Sequence, residues 1–537
     1  MLRRRTATTP ADPAQAAAAA AQRGTRPSPR LLAAAALAGG ASLFSFEPFG
    51  WWPLQFVLLG WLFYQVGLGS SVRRATLLGW AFGFGWSVAA MFWLYIMMTR
   101  FAHVPGILGA IGVVLLGLYM GLFGAFATGV ASWLRQRWSL PVASFVLLVL
   151  PVTWGVSEWM RGWVFTGFPW SVSGYAHDTS PLAGYAPLVG VYGIGVLVAV
   201  GAGCLVLLTQ NATQRARWPA IGLLAALLAT GFGLRHVEWT HETGSPITVR
   251  LLQGNIPQDR KFDYAFLSSI LERYHGMITA APADLVATPE TAIPSFPHNL
   301  PAGYLSSLQE FSTKSGSTLA VGLPLLDSPT QYANSVIAIS PQPTPYRYDK
   351  AHLVPFGEFI PPGFRWVTDL MNIPLNDATR GKGLQAPFAV KDQLVLPNIC
   401  YEDVFGEEIA WQLRNAPRPA TLLLNMSNLS WYGQSTAIPQ HLQISRMRTL
   451  ETGRPMLRST NDGATAIIDG RGRIKQVLPF YTEGVLSATV RGTAGMTPYI
   501  RFGNVAFLLL GALALAAAWF FGRNYRATAE RKKSHAA

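Results

Sequence analysis

Cys400 stands in the string Asn398-Ile399-Cys400-Tyr401-Glu402-Asp403, between an apolar run at 393–396 and a helical pattern at 404–413. The first reads as a short buried strand, the second as a helix with Asp403 as its N-cap. A cysteine between a strand end and a helix start meets backbone N–H groups and a helix dipole that favour a thiolate. A lone cysteine is ordinarily a small buried hydrophobe, and the second one in the chain, Cys204, lies inside an apolar stretch. Glu402 and Asp403 would raise the thiol pKa, so a base and a cation must come from elsewhere. Two residues answer that need. Glu290 follows a strand-like run at 285–288, and Lys350 leaves another at 346–349. Each alone reads as a solvated rim residue. Together, three strand ends supply a thiol, a carboxylate to take its proton and an ammonium to hold an oxyanion.

The elements that must position these groups begin at Ile247. Strand-like runs at 247–253, 285–288, 318–322, 335–340, 421–425, 456–459, 464–469 and 474–477 alternate with helical patterns at 265–280, 300–314, 404–414 and 439–452. The turn Asp469-Gly470-Arg471-Gly472 is a hairpin signal. Alternating strands and helices with some hairpins predict an α/β sandwich with mixed sheets.

The first half has a different texture. The chain is 537 residues long, carries only 13 % charged residues and has a formal charge of +15, with a mean hydropathy of +0.27. Apolar segments recur at 31–46, 51–69, 75–98, 105–134, 141–160, 186–209, 218–234 and 503–522. A hydrocarbon core of about 30 Å needs roughly 20 such residues, so eight spans are expected, the first marginal and retained rather than cleaved. The basic residues sit beside these segments, which argues for membrane orientation and not nucleic-acid binding. Arginines precede span one and follow spans two, four, six and eight, while the alternate loops hold only Arg100 and Arg161. Both termini are therefore expected in the cytoplasm. The layout is a basic tail at 1–30, seven spans within 31–234, an extracytoplasmic domain at 235–502, a span at 503–522 and a basic tail at 523–537.

The strings around the three residues are TPETAIP, YDKAHLVPFGE and NICYED. Others are LLQGNIPQ at 251–258, GFPW at 167–170 and QHLQISRMRTLETGRPMLRSTNDG at 440–463. Together they resemble the nitrilase superfamily and, within it, the apolipoprotein N-acyltransferase family, over nearly the whole chain after the tail. The resemblance implies an αββα sandwich on a multi-pass helical membrane domain. It implies Glu290 as general base, Lys350 as oxyanion cation and Cys400 as nucleophile, with Glu358, Tyr401 and Glu402 in support. It further implies transfer of an acyl chain, the sn-1 chain of phosphatidylethanolamine, through a Cys400 thioester to the amine of a diacylglyceryl-cysteine on an apolipoprotein. No metal or other cofactor is implied. The expected setting is the inner membrane of a bacterium, with the catalytic domain periplasmic and the protein a monomer. Phe262 stands where the family often has tryptophan, and Leu429 where it often has aspartate.

Trp170, Phe262, Phe364, Trp366 and Trp431 are the expected substrate contacts. Phe364 and Trp366 belong to a stretch at 356–375 rich in large apolar residues and broken by Pro361-Pro362-Gly363, which reads either as ordinary core or as a mobile arm that gates the site from the membrane. A Cys–His machine using His298, His352 or His441 lacks a matching Asn or Asp setting. No H-E-x-x-H or C-x-x-C string suggests a metal. A membrane-tethered amidase that resolves its acyl-enzyme with water is the main alternative, and a lipid-binding scaffold with an idle triad is a third reading.

Overall fold

A computed structural model of the chain describes residues 26–69, 71–209, 214–329, 331–342, 344–361, 363, 365 and 377–536. Most of the expected basic tail, at 1–25, and residues 362, 364 and 366–375 of the expected arm, including Phe364 and Trp366, lie outside the described residues.

The apolar half begins with α1 (Pro29–Ala41), α2 (Trp52–Leu68), α3 (Val72–Ala90) and α4 (Trp93–Phe101). It continues with α5 (Gly106–Trp138), α6 (Val142–Met160), α7 (Pro181–Thr209) and α8 (Arg217–Leu234). Five described helices are long and apolar enough to cross a membrane: α5 to α8 and a terminal helix at Val505–Thr528. The count rises to six if α3 and α4, bent by 51° at their junction, form one span. The expected eight is therefore corrected. At about 1.5 Å per residue, α1 is only ~20 Å long, and α2, with 17 residues, is also short. Glycines set how closely α3 and α5 approach: a Cβ on Gly124 would stand 2.4 Å from the Gly79 carbonyl oxygen.

The second half holds two six-stranded sheets. Its elements are β1 (His241–Gln253), α9 (Tyr264–Thr279), β2 (Leu285–Ala287), α10 (Tyr304–Ser315), β3 (Thr318–Ser328), β4 (Gln331–Ile339), β5 (Arg347–Asp349), β6 (Phe388–Val390) and β7 (Gln393–Ile399). Then follow α11 (Gly406–Asn415), β8 (Leu422–Ser427), α12 (Ala437–Thr452), β9 (Met456–Thr460), β10 (Ala466–Ile468), β11 (Ile474–Val477) and β12 (Gly484–Ala494), before α13 (Val505–Ala536), which contains the terminal apolar helix. The strand orders are β12-β1-β2-β3-β4-β5 and β11-β10-β9-β8-β7-β6, each with a parallel trio at its centre and antiparallel flanks. Ile247, Val249 and Leu251 of β1 share one core with Val395 of β7 and Leu422 and Leu424 of β8, so the sheets pack face to face. The alternate residues Leu252 and Val286 pack instead with Leu271 of α9 and Leu308 of α10. Ile409 of α11 and Ile438 of α12 join the inter-sheet cluster from the other sheet. The result is an αββα sandwich.

α12 joins this sandwich to the membrane half. Gln440 accepts from the Trp170 indole at 2.8 Å, Arg446 pairs with Asp178 at 2.8 Å, and Glu451 accepts from the Val191 N–H at 2.8 Å. Glu451 also pairs with Arg448 at 3.0 Å, both side chains fully buried. Breaking a buried pair strands a charge, at about 3–5 kcal/mol. Glu451→Ala should therefore lower the melting temperature of the full-length protein in detergent strongly, and Glu451→Gln, which keeps an acceptor for Val191, less so. Equal, native-like melting of both variants would refute the clamp.

Candidate active site

Glu290, Lys350 and Cys400 each lie just beyond a strand end, after β2, β5 and β7. β2 and β5 belong to one sheet and β7 to the other, so the site sits where the two sheets of the sandwich meet. Cys400 has a φ of +52°, in the left-handed region that a side chain adopts at a cost of about 1–3 kcal/mol. Neighbouring bonds impose that turn. Asn425 donates to the Cys400 carbonyl at 3.2 Å and to Asn398 Oδ1 at 2.7 Å, and Glu402 accepts from the Ile399 N–H at 2.6 Å.

Around the thiol stand two carboxylates and an ammonium. Lys350 Nζ lies 3.3 Å from Glu290 Oε1 and 2.8 Å from Glu358 Oε1, and its side chain is 1 % exposed. Asn334 of β4 bridges the carboxylates, donating to Glu290 Oε1 at 2.8 Å and Glu358 Oε1 at 3.2 Å. Glu290 Oε2 accepts the Asn428 N–H at 2.9 Å, and the Cys400 thiol stands within electrostatic reach of the carboxyl. Burial pushes the Glu290 carboxyl up, but Lys350 and Lys261 outweigh it and hold the group below its ordinary value. Burial and the Glu290 charge push the Cys400 thiol up, against the pull of Lys350. Burial alone would lower the Lys350 pKa; Glu290 and Glu358 raise it well above the ordinary range. At rest the proton is therefore on sulfur and the carboxylate is ionised. That is the protonation state a general base needs.

The expected N-cap at Asp403 is not formed. Residues Cys400–Val404 make a 3₁₀ turn and α11 starts later, at Gly406. Asp403 instead binds His441 at 2.6 Å and Arg458 at 3.1 Å and accepts from Ser445, partners that lie at least 38 residues away in the chain. Glu402 is turned from the thiol as well: it accepts from Ala351 N at 2.6 Å and Tyr348 Oη at 3.0 Å, tying the Cys400 turn to the strand end that carries Lys350. Burial lifts its carboxyl to about 7 against those donors. Tyr401 donates to the Gly167 carbonyl at 3.0 Å, and His352 contacts the Thr166 carbonyl at 2.9 Å. Both carbonyls belong to the Gly- and aromatic-rich loop after α6, where Phe165, Thr166 and Gly167 have φ of +52°, +76° and +87°. At the start of that loop Glu158 accepts from Ser173, and Arg161 donates to the Trp170 carbonyl.

The expected substrate contacts divide. Trp170 is 3 % exposed, its N–H is spent on Gln440, and it stacks on His441 at 5.7 Å; it is a strut between the halves. Phe262 is 57 % exposed. Trp431 is exposed and meets Phe101 of α4 edge-on at 6.0 Å. Phe364 and Trp366 lie outside the described residues. Leu429 is buried. Two residues of the site were missed in the sequence: Asn334, which precedes the expected strand run at 335–340, and Lys261, which is buried with Nζ 2.9 Å from the Glu290 carbonyl oxygen. Neither carries a local signal, because Asn334 stands in the polar half of β4 beside Ser335. Among the described residues, no group of three or more His, Cys, Asp or Glu is placed to hold a metal.

A family model described as apolipoprotein N-acyltransferase N-terminal domain matches residues 38–204, and one described as carbon-nitrogen hydrolase matches residues 248–499. Among curated proteins, the apolipoprotein N-acyltransferase of Ralstonia nicotianae is 46 % identical, covering 90 % of this chain and 92 % of its own. Those of Chromobacterium violaceum and Nitrosomonas europaea are 45 % and 40 % identical, covering 91 % and 92 % of this chain and 93 % and 98 % of their own. A solved amidase from Nesterenkonia sp. aligns with 49 % of this chain and 94 % of its own at 16 % identity, with a TM-score of 0.35. With relatives this similar over nine-tenths of its length, the chain belongs to the apolipoprotein N-acyltransferase family, its second half being a carbon-nitrogen hydrolase domain.

Proposed function

We propose that this protein transfers an acyl chain from a phospholipid, through a thioester on Cys400, to the α-amine of a diacylglyceryl-cysteine at the N-terminus of an apolipoprotein. The observation that carries the reading is the buried Glu290, Lys350 and Glu358 cluster beside Cys400, in a domain locked to an apolar helical half. Glu290 takes the thiol proton as sulfur attacks the ester carbonyl, the sn-1 ester of phosphatidylethanolamine in the family's pattern. Lys350 has three N–H donors, two of them engaged by Glu290 and Glu358, and the third serves the oxyanion. The C–O bond breaks and the alkoxide leaves as lysophospholipid with the proton from Glu290. In the second half the amine attacks the thioester and passes a proton to Glu290. The C–S bond then breaks and the thiolate recovers that proton. An ester and then a thioester already carry the activation, and cysteine is both a good nucleophile and a good leaving group towards an amine.

In the same reading the protein works as a monomer in a bacterial inner membrane, with residues 235–502 as a periplasmic catalytic domain. Supporting that orientation is the arginine bias of the short loops. A reporter active only outside the cytoplasm should work when fused near residue 240 and fail near residue 212. The reverse pattern would put the triad on the wrong side for lipoproteins.

Incubation of the full-length protein with labelled phospholipid should place an acyl group on Cys400 that an amine acceptor removes and water alone does not. Release by water alone would identify an amidase-like hydrolase instead. Cys400→Ala should abolish loading, and Lys350→Ala should slow it on the order of 10²-fold or more; full transfer by Cys400→Ala would end the covalent mechanism. Because Glu290 is held below the ordinary carboxylate value of 4.5, loading should lose rate only as the pH falls below that value. An acid limb near neutrality would show that another group is the base.

A further inference from the structure

Lys261 closes the one-turn helix Gln258–Lys261 after Pro257. Its side chain is buried, and the one hydrogen bond it makes among the described residues is to the Glu290 carbonyl oxygen, at 2.9 Å. No carboxylate oxygen of a described residue lies within ion-pair distance of it. An ammonium so placed is costly, because burial without a directly paired charge is unfavourable. The same turn reaches the catalytic carboxyl by a second route. Gln258 Oε1 accepts from Asn428 Nδ2 at 2.7 Å, and the Asn428 N–H donates to Glu290 Oε2 at 2.9 Å.

The charges around the thiol give the ammonium a role. Glu290 and Glu358 bring two negative charges and Lys350 one positive charge. That trio leaves one negative charge uncompensated beside a sulfur that must itself become anionic. A second buried cation offsets that charge.

We infer that Lys261 is a positioning residue of the active site, a second cation that fixes the backbone of Glu290 and balances the two carboxylates facing Cys400. The inference rests on the acyl-transfer reading only for its purpose; its geometry is independent of the substrate. The charged and titratable groups that face Glu290 are Lys350, Cys400, Tyr432 and, across Asn334, Glu358, while Asp462 faces Lys261. Burial holds the ammonium down to about 8, with Glu290 and Asp462 opposing, so it carries its charge through neutral and acid pH.

The test follows the rate of Cys400 alkylation by iodoacetamide against pH, read by mass spectrometry on the full-length protein in bilayers. Lys261→Met removes charge and donor, Lys261→Gln removes the charge and keeps a donor, and Lys261→Arg keeps both. Without the cation Glu290 binds its proton more tightly, so the acid midpoint should move up by about one pH unit in the Met and Gln variants and stay native in Arg. Midpoints unmoved in Met and Gln, whatever their rates, would overturn the proposal. So would a native-like profile in Gln alone, or loss of the folded state in both, which would assign Lys261 to stability. Phospholipid loading of the native protein is measured in parallel. Its failure would refute the transferase reading and leave the alkylation comparison intact.

Discussion

The structure turns on one buried ammonium held between two carboxylates. Lys350 is almost wholly excluded from solvent, and only the paired negative charges of Glu290 and Glu358 make its charge tolerable there. Asn334 then fixes the distance between carboxylates that would otherwise repel each other. These partners come from the ends of β2 and β5, from within β4 and from a connecting segment, so the charge cluster demands that these strands of the first sheet be in register. The second sheet must present Cys400 to it. A domain with a looser core would lose the charge balance before it lost its strands.

The same logic explains why the two halves are joined by polar bonds inside apolar packing. Tyr401 and His352, each next to or near a reactive residue, end on carbonyls of the loop after α6. Arg446 and Glu451 reach into the membrane half from α12. Hydrophobic packing alone is non-directional and tolerates sliding. Hydrogen bonds at fixed lengths do not, and here they set the position of the Cys400 turn relative to the helices.

Much of this was legible in the sequence, and the parts that were not share a cause. Glu290, Lys350 and Cys400 could be singled out because each follows a short strand-like run, a local pattern. The sandwich followed from the alternation of such runs. Asp403 looked like an N-cap because its distant partners, His441 and Arg458, are invisible to local reasoning. α12 is polar in sequence, yet Gln440, Gln443, Arg448 and Glu451 are all buried, with partners far off in sequence in Trp170, Asp178, Val404 and Val191. The spans were overcounted because an apolar window registers neither the early end of α1 nor the bend between α3 and α4. Lys261 stood beside Phe262 in a string that drew notice, but its target is a backbone oxygen, 29 residues on.

The contacts from the loop after α6 are made by carbonyl oxygens, and every residue type has one. Side chains in that loop other than at Gly167 can therefore drift without loosening Tyr401 or His352. What cannot change freely is the path of the chain: Phe165, Thr166 and Gly167 form three consecutive left-handed residues, and a single insertion or deletion there would turn both carbonyls away. Between related proteins the loop should hold its length and keep Gly167, where a Cβ would stand 2.2 Å from the Gly162 carbonyl oxygen. An exchange of the membrane half between relatives would succeed or fail on that glycine and on the number of residues between α6 and Trp170.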